Sequence, residues 1–197
     1  MIDKKVGVIV QARMGSTRLP DKVLKLLYED NTVLDILIKR LKLSKNVDEI
    51  IIATTPDNRN HTIINVAKEN GVSSFIGDEE NVLLRYYSAA KKFNLDIVIR
   101  ITSDCPFIDP IILDDMISFY LAHNYDYIRN VDESTNFSRG FEIEIFSFKV
   151  LEQVFSYAIT KPEKEHVTYY IYTHPELFSI FSYDLENLKK FDNLRLT

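Results

Sequence analysis

The sequence predicts a three-layer α/β/α protein on a mainly parallel central sheet, and three observations carry that prediction. Short, β-branched apolar runs recur through the first half of the 197-residue chain. Between them lie segments whose apolar residues fall at helical spacing. The resulting order, strand then helix through four rounds, implies parallel strands with helices on both faces.

Val6 to Val10 is a buried strand, because it is short, β-branched and ends in a polar, turn-like segment. A long loop leads to a helix near Val33 to Leu43, in which Val33, Leu34, Leu37, Ile38 and Leu41 share one face. Glu49 to Thr54 (EIIIAT) is the second strand, and Asn58 to Asn70 a helix that Gly71 stops at its C-terminal cap. A short strand at about Ser73 to Ile76 precedes a helix over Glu79 to Phe93 and a strand over Asp96 to Thr102. Pro110 suits the first turn of a helix reaching about Ala122.

The second half is less regular. Phe141 to Phe148 (FEIEIFSF) alternates as a strand with one apolar face does. Helices at Lys149 to Ala158 and Pro162 to Thr173 and a strand near Phe178 to Tyr183 complete the order. The polar span Asn130 to Arg139 is an excursion within a single domain of residues 1 to 197.

A net charge of -5 argues against a general polynucleotide or anionic-membrane binder, which presents a basic face. The lone Cys105 excludes an intramolecular disulfide framework, and the first apolar run is too short for a signal peptide or a membrane span. A cytoplasmic enzyme or binding protein is expected, with neither nucleic acid nor membrane as partner.

Ligands of an open parallel sheet bind beyond the carboxyl ends of its strands, where the strand order reverses. Two loops occupy such positions. The first, Gln11 to Lys22, combines Gly15, the hydroxyls of Ser16 and Thr17, and the charges of Arg13, Arg18 and Lys22. That is an anion cradle, although it follows neither the Walker pattern nor G-x-G-x-x-G, and composition alone fits a solvated basic loop equally well. The second, Thr102 to Pro110, places Asp104 at the end of a buried strand, where a carboxylate suits Mg2+. Asp109 is expected to cap the helix that opens at Pro110, and Cys105 to be a small buried side chain rather than a nucleophile. The four histidines show no metal-ligand spacing, and no G-x-S-x-G elbow occurs.

The stretch QARMGSTRLPDKVL (11–24) with RITSDCPFIDP (100–110), together with NVLLRYYSAA, GFEIEIFS and KEHVTYYI, closely resembles cytidylyltransferases of the spore coat polysaccharide biosynthesis protein F type. These are relatives of the CMP-sugar synthetases. The resemblance implies a Rossmann-like nucleotide-diphospho-sugar transferase fold and transfer of CMP from CTP to a sugar, sugar acid or polyol phosphate, with release of pyrophosphate. It implies that Ala12, Arg13, Gly15, Ser16, Arg18 and Lys22 hold the CTP phosphates, that Arg85 contacts the nucleotide, and that Asp104 binds the catalytic Mg2+. Arg13, Lys22 and Asp104 are the implied catalytic set. Gly140, Glu142, Glu144, Glu165 and His166 match motifs on the acceptor side.

Two departures from the family pattern accompany it. Glu142 stands at the family's aspartate in G-x-D-x-E, and Lys164 at the arginine of REHVT. Family members also continue past NLRLT with Val-Asp-Thr-Pro and a further helix, so a C-terminal truncation is expected. A homodimer is implied, with 125–146 as its dimerisation arm. The alternatives are a transferase of the same fold that uses another nucleoside triphosphate, and a catalytically weak nucleotide-binding or assembly subunit.

Overall fold

The computed structural model describes residues 4–15 and 19–185. Its centre is a seven-stranded sheet formed by β1 (Val6–Gln11), β4 (Glu49–Thr54), β5 (Ser73–Ile76), β6 (Ile97–Thr102), β7 (Tyr127–Arg129), β8 (Glu144–Ser147) and β9 (Ile180–Ser182). A separate two-stranded ribbon joins β2 (Leu26–Tyr28) to β3 (Asn31–Thr32). The order across the main sheet is β5-β4-β1-β6-β8-β7-β9. β5, β4, β1 and β6 are mutually parallel, β8 runs antiparallel to both of its neighbours, and β9 is parallel to β7.

Alternation along β1 explains the layers. Val6, Val8 and Val10 face α1 (Val33–Leu41), α2 (His61–Glu69) and α4 (Pro110–Ala122), in a core that includes Leu37, Ile63 and Met116. Ile9 faces the other way, onto α3 (Val82–Lys92) and α5 (Phe148–Tyr157), with Tyr86 and Leu151 fully packed. Two short helices, α6 (Lys161–Glu165) and α7 (Tyr169–Thr173), complete that second layer through Val167 and Ile171.

Helix ends follow their local chemistry. Thr32 and Asp35 form a reciprocal capping box at the start of α1. Asp109 accepts from the amides of Ile111 at 2.8 Å and Ile112 at 3.3 Å, so it caps α4 as its place before Pro110 implies.

The second half departs from the sequence reading in three places. β7 lies where no strand was expected, because three residues show no periodicity. β8 begins at Glu144 rather than Phe141: the buried Asn130 donates to the Phe141 carbonyl at 2.8 Å and accepts from the Ile143 amide at 2.8 Å, holding that segment off the ladder. The helix expected over 162–173 is two helices, because the chain between them turns inward and Thr168 donates to Glu144 at 3.2 Å. The span 125–146 supplies β7, all of β8 but its last residue, and the loop joining them.

Candidate active site

The chain runs from β1 outward to β4 and β5, then returns to β6 on the other side of β1. The strand order therefore reverses between β1 and β6, and the crevice lies above their carboxyl ends, at Gln11 and Thr102. Both loops singled out by the sequence leave from this edge.

The first loop is tied down before it becomes open. Ala12 is buried and its amide donates to the Ala53 carbonyl at 3.0 Å. The Met14 amide donates to Asn60 Oδ1 at 3.0 Å, while the Asn60 amide group donates to the Thr55 carbonyl and hydroxyl. Arg13 and Gly15 are exposed, and a Cβ on Gly15 would meet nothing within 4 Å among the described residues. Ser16 and Arg18 lie outside the described residues. The chain turns back through Asp21, in the left-handed region at φ 56°, into a short 3-10 helix, Lys22–Leu24.

That turn brings Lys22 to the second loop, where its Nζ donates to Asp104 Oδ2 at 2.8 Å. Burial pushes the Asp104 carboxyl upward, but hydrogen bonds from Lys22 and Thr102 and the Lys22 charge outweigh it and hold the group below the usual carboxylate range. Cys105 is fully buried, with Sγ 3.2 Å from Glu142 Oε2. Burial and the Glu142 charge push the thiol far up, in keeping with the small buried side chain expected at this position. Glu142 also accepts the Gly140 amide at 2.7 Å, where Gly140 adopts φ 106°.

Arg85 reaches the same edge from α3. It is 2% exposed, its Nη1 donates to the Asp78 carbonyl at 2.7 Å, and burial together with the Arg13 charge lowers its pKa. Among the described residues its Nε has no partner, nor do Gln11 Oε1, Thr54 Oγ1 or Arg100 Nε, although all four atoms are buried. Gln11 and Thr54 end β1 and β4, so unfilled hydrogen-bonding capacity collects at the crevice, as it does where a ligand completes the set.

Of the residues expected on the acceptor side, Glu144 is engaged through both of its oxygens. One oxygen pairs with Arg100; the other accepts from the Tyr127 hydroxyl at 2.9 Å and from Thr168. Burial would loosen the Arg100 proton, but Glu144 more than compensates and raises the pKa. Glu165 and His166 are exposed at the end of α6, and the His166 ring lies 6.4 Å from that of Tyr169. Sequence reasoning missed Asn60 and Arg100. Only Arg100, a charge inside the apolar run DIVIRIT, left a signal.

No group of three or more metal-ligating side chains occurs among the described residues. A magnesium ion needs only one or two protein carboxylates beside water and phosphate oxygens, and Asp104, partly exposed at the crevice, fits that demand. No described helix is long and apolar enough to cross a membrane.

Comparison with known proteins follows this geometry. Residues 7–195 match the sequence profile of the family described as cytidylyltransferase. The chain is 37% identical over 183 residues to the spore coat polysaccharide biosynthesis protein SpsF of Bacillus subtilis, covering 87% of this chain and 72% of that one. An uncharacterized protein of Methanocaldococcus jannaschii is 39% identical over 193 residues, 98% of this chain and 77% of that one. A cytidylyltransferase structure from Leptospira borgpetersenii superposes with a TM-score of 0.92 at 39% identity, covering 98% of this chain and 81% of the other. A CMP:2-keto-3-deoxy-manno-octonic acid synthetase complexed with CTP shares the fold, with a TM-score of 0.71 at 17% identity over 92% of this chain and 90% of that one. The loop after β1, the carboxylate after β6 and the whole length of the sheet thus agree with one assignment: the chain belongs to the cytidylyltransferase family.

Proposed function

We propose that this protein transfers the cytidylyl group of CTP to an oxygen of a sugar, sugar acid or polyol phosphate, in a cytoplasmic step of surface or spore coat polysaccharide synthesis. The observation that carries the reading is the Lys22–Asp104 contact, which joins the two crevice loops where the strand order reverses.

The acceptor oxygen attacks the α-phosphorus, a hydroxyl releasing its proton to solvent and a phosphate oxygen having none to release; the bond to the α,β-bridging oxygen breaks, and pyrophosphate leaves with the charge that develops. Such a reaction asks the protein mainly for positioning and charge neutralisation. Lys22 and Arg13 supply positive charge at the phosphates, with Ala12, Gly15, Ser16 and Arg18 completing the cradle. The bond from Asn60 fixes the entry of that loop. Arg85 offers its Nε, which has no partner among the described residues, to the nucleotide. Asp104 would hold a magnesium ion, which when bound supplies Lewis-acid neutralisation of the phosphate oxygens. Glu142, Glu144, Glu165 and His166 frame the acceptor side.

Calorimetric titration with CTP, GTP, UTP and ATP, with and without Mg2+, tests the reading alongside pyrophosphate release. Selective CTP binding strengthened by Mg2+ is expected; equal binding of all four, or no pyrophosphate with any acceptor, would overturn it. A homodimer meeting through 125–146 belongs to the same proposal, and sedimentation velocity checks it.

A further inference from the structure

Arg129 is the last residue of β7, in register with Glu144 of β8 on one side and Ser182 of β9 on the other. Arg100 of β6 pairs with Glu144 from the far side, so Arg100, Glu144 and Arg129 form one row across three strands. Three contacts hold Arg129 in place. Its Nε donates to Asp132 Oδ2 at 3.0 Å, its guanidinium carbon lies 5.6 Å from the centre of the Tyr172 ring, and its own carbonyl accepts the Tyr183 amide at 2.7 Å.

What remains unfilled in this row is donors. Glu144 spends one oxygen on Arg100 and the other on Tyr127 and Thr168. Asp132 receives Arg129 and the Ser182 hydroxyl on one oxygen, and the amide and hydroxyl of Ser134 on the other. A guanidinium carries five N–H groups, and the described residues engage only one of those on Arg129. Both terminal nitrogens are left as a fork on a side chain that is 27% exposed.

A fork of this kind matches the paired oxygens of a carboxylate or phosphate. Its aim is set beforehand, because the Asp132 contact and the aromatic backing remove rotamer freedom that binding would otherwise cost. A neutral polyol gains less here, since a hydroxyl oxygen carries no charge and cannot match the two terminal nitrogens of the fork as paired anionic oxygens do. Location agrees: β7 runs in the same direction as β6, and Arg129, level with Arg100, ends it toward the edge where Thr102 ends β6, two strand spacings away, or about 10 Å. An acceptor poised at the crevice spans that distance.

We propose that Arg129 anchors the acceptor through an oxyanion, a carboxylate or a phosphate, and that Asp132 and Tyr172 are positioning residues for it. The proposal rests on the cytidylyltransferase reading above and narrows its acceptor to an anionic molecule.

The test is direct binding with CMP present, so that no transfer occurs. N-acetylneuraminate and ribitol 5-phosphate are titrated into the protein, each beside a neutral counterpart, N-acetylmannosamine and ribitol. At least one anion should bind, with its neutral counterpart at least about tenfold weaker. Arg129→Gln should lose about tenfold to a hundredfold for that anion while CMP affinity stays within about twofold. Arg129→Lys, which keeps the charge without the fork, should recover only part of the loss, and it serves alone if Arg129→Gln does not fold. Whichever anion binds separates carboxylate from phosphate. Failure of both anions to bind, equal binding of a neutral counterpart, or an Arg129→Gln variant with unchanged anion affinity overturns the proposal. Loss of CMP binding by the parent protein would instead sink the cytidylyltransferase reading, and this inference with it.

Discussion

Lys22 and Asp104 stand 82 positions apart in sequence, and their side chains meet at 2.8 Å. Each belongs to a different crevice loop, so a change at either should act on transfer more than on folding. Lys22→Ala is expected to lower kcat/KM for CTP by about tenfold to a hundredfold, the worth of one charge-assisted hydrogen bond to a phosphate. Lys22→Arg should recover part of that, and Asp104→Asn should lose most Mg2+-supported turnover and need a higher Mg2+ concentration for what remains. Steady-state kinetics across a magnesium series check all three; a Lys22→Ala variant with unchanged kcat/KM would remove this lysine from the site.

Arg85 should show a trade between stability and binding. It is a buried cation with no carboxylate partner among the described residues, and one of its buried nitrogens has no partner either. Replacing such a group by an apolar side chain of similar length is neutral or stabilising in many folds. Arg85→Met is therefore expected to leave the melting temperature unchanged or raise it, while CTP affinity falls by about tenfold or more. Thermal denaturation paired with calorimetry separates the two effects; a drop in both would make Arg85 a structural residue.

Most of the parallel half was legible because its strands are buried on both faces and its helices carry an apolar stripe, as Val33 to Leu41 does. The antiparallel half was less so. β7 is too short for any period to show, and the break between α6 and α7 depends on Thr168 reaching Glu144, a contact that no local pattern records. At the site, Arg13, Lys22 and Asp104 could be named because charge beside a buried strand end is unusual. Asn60 and Asp132 could not, since each works through a backbone amide or a side chain distant in sequence. Glu144 shows a different limit: the motif suggested a group on the acceptor side, but nothing in the sequence showed that Arg100, Tyr127 and Thr168 would converge on it.

Asn60 should behave as a positioning residue. It is 1% exposed and joins the loop after β1 to the loop after β4 through the Met14 amide and Thr55. Asn60→Ala leaves the Met14 amide without that partner, at a cost of about 1–3 kcal/mol in stability. Beyond that, KM for CTP should rise at temperatures where the variant remains fully folded. Asn60→Asp keeps the acceptor for Met14 but adds negative charge near the triphosphate, so its KM defect should shrink as ionic strength rises. Kinetics at two salt concentrations distinguish lost geometry from added charge.

Asp132 should give the fold an acid-sensitive contribution. Burial alone would raise its carboxyl, but hydrogen bonds from Ser134 and Ser182 and the Arg129 charge outweigh it and lower the pKa to about 2. The folded value thus lies below the unfolded value of about 3.9. Its stabilisation is fully present above that unfolded value and is lost as pH falls through the folded one, a window from about pH 4 down to about pH 2. Asp132→Asn cannot ionise, so the stability gap between parent and variant should be widest at neutral pH, at most about 2.6 kcal/mol from this source and less to the extent that solvent screens the pair, and should close across that window. Urea unfolding midpoints at a series of pH values measure it. A gap that stays constant down to pH 2 would show that Asp132 acts through the shape of its hydrogen bonds and not through its charge.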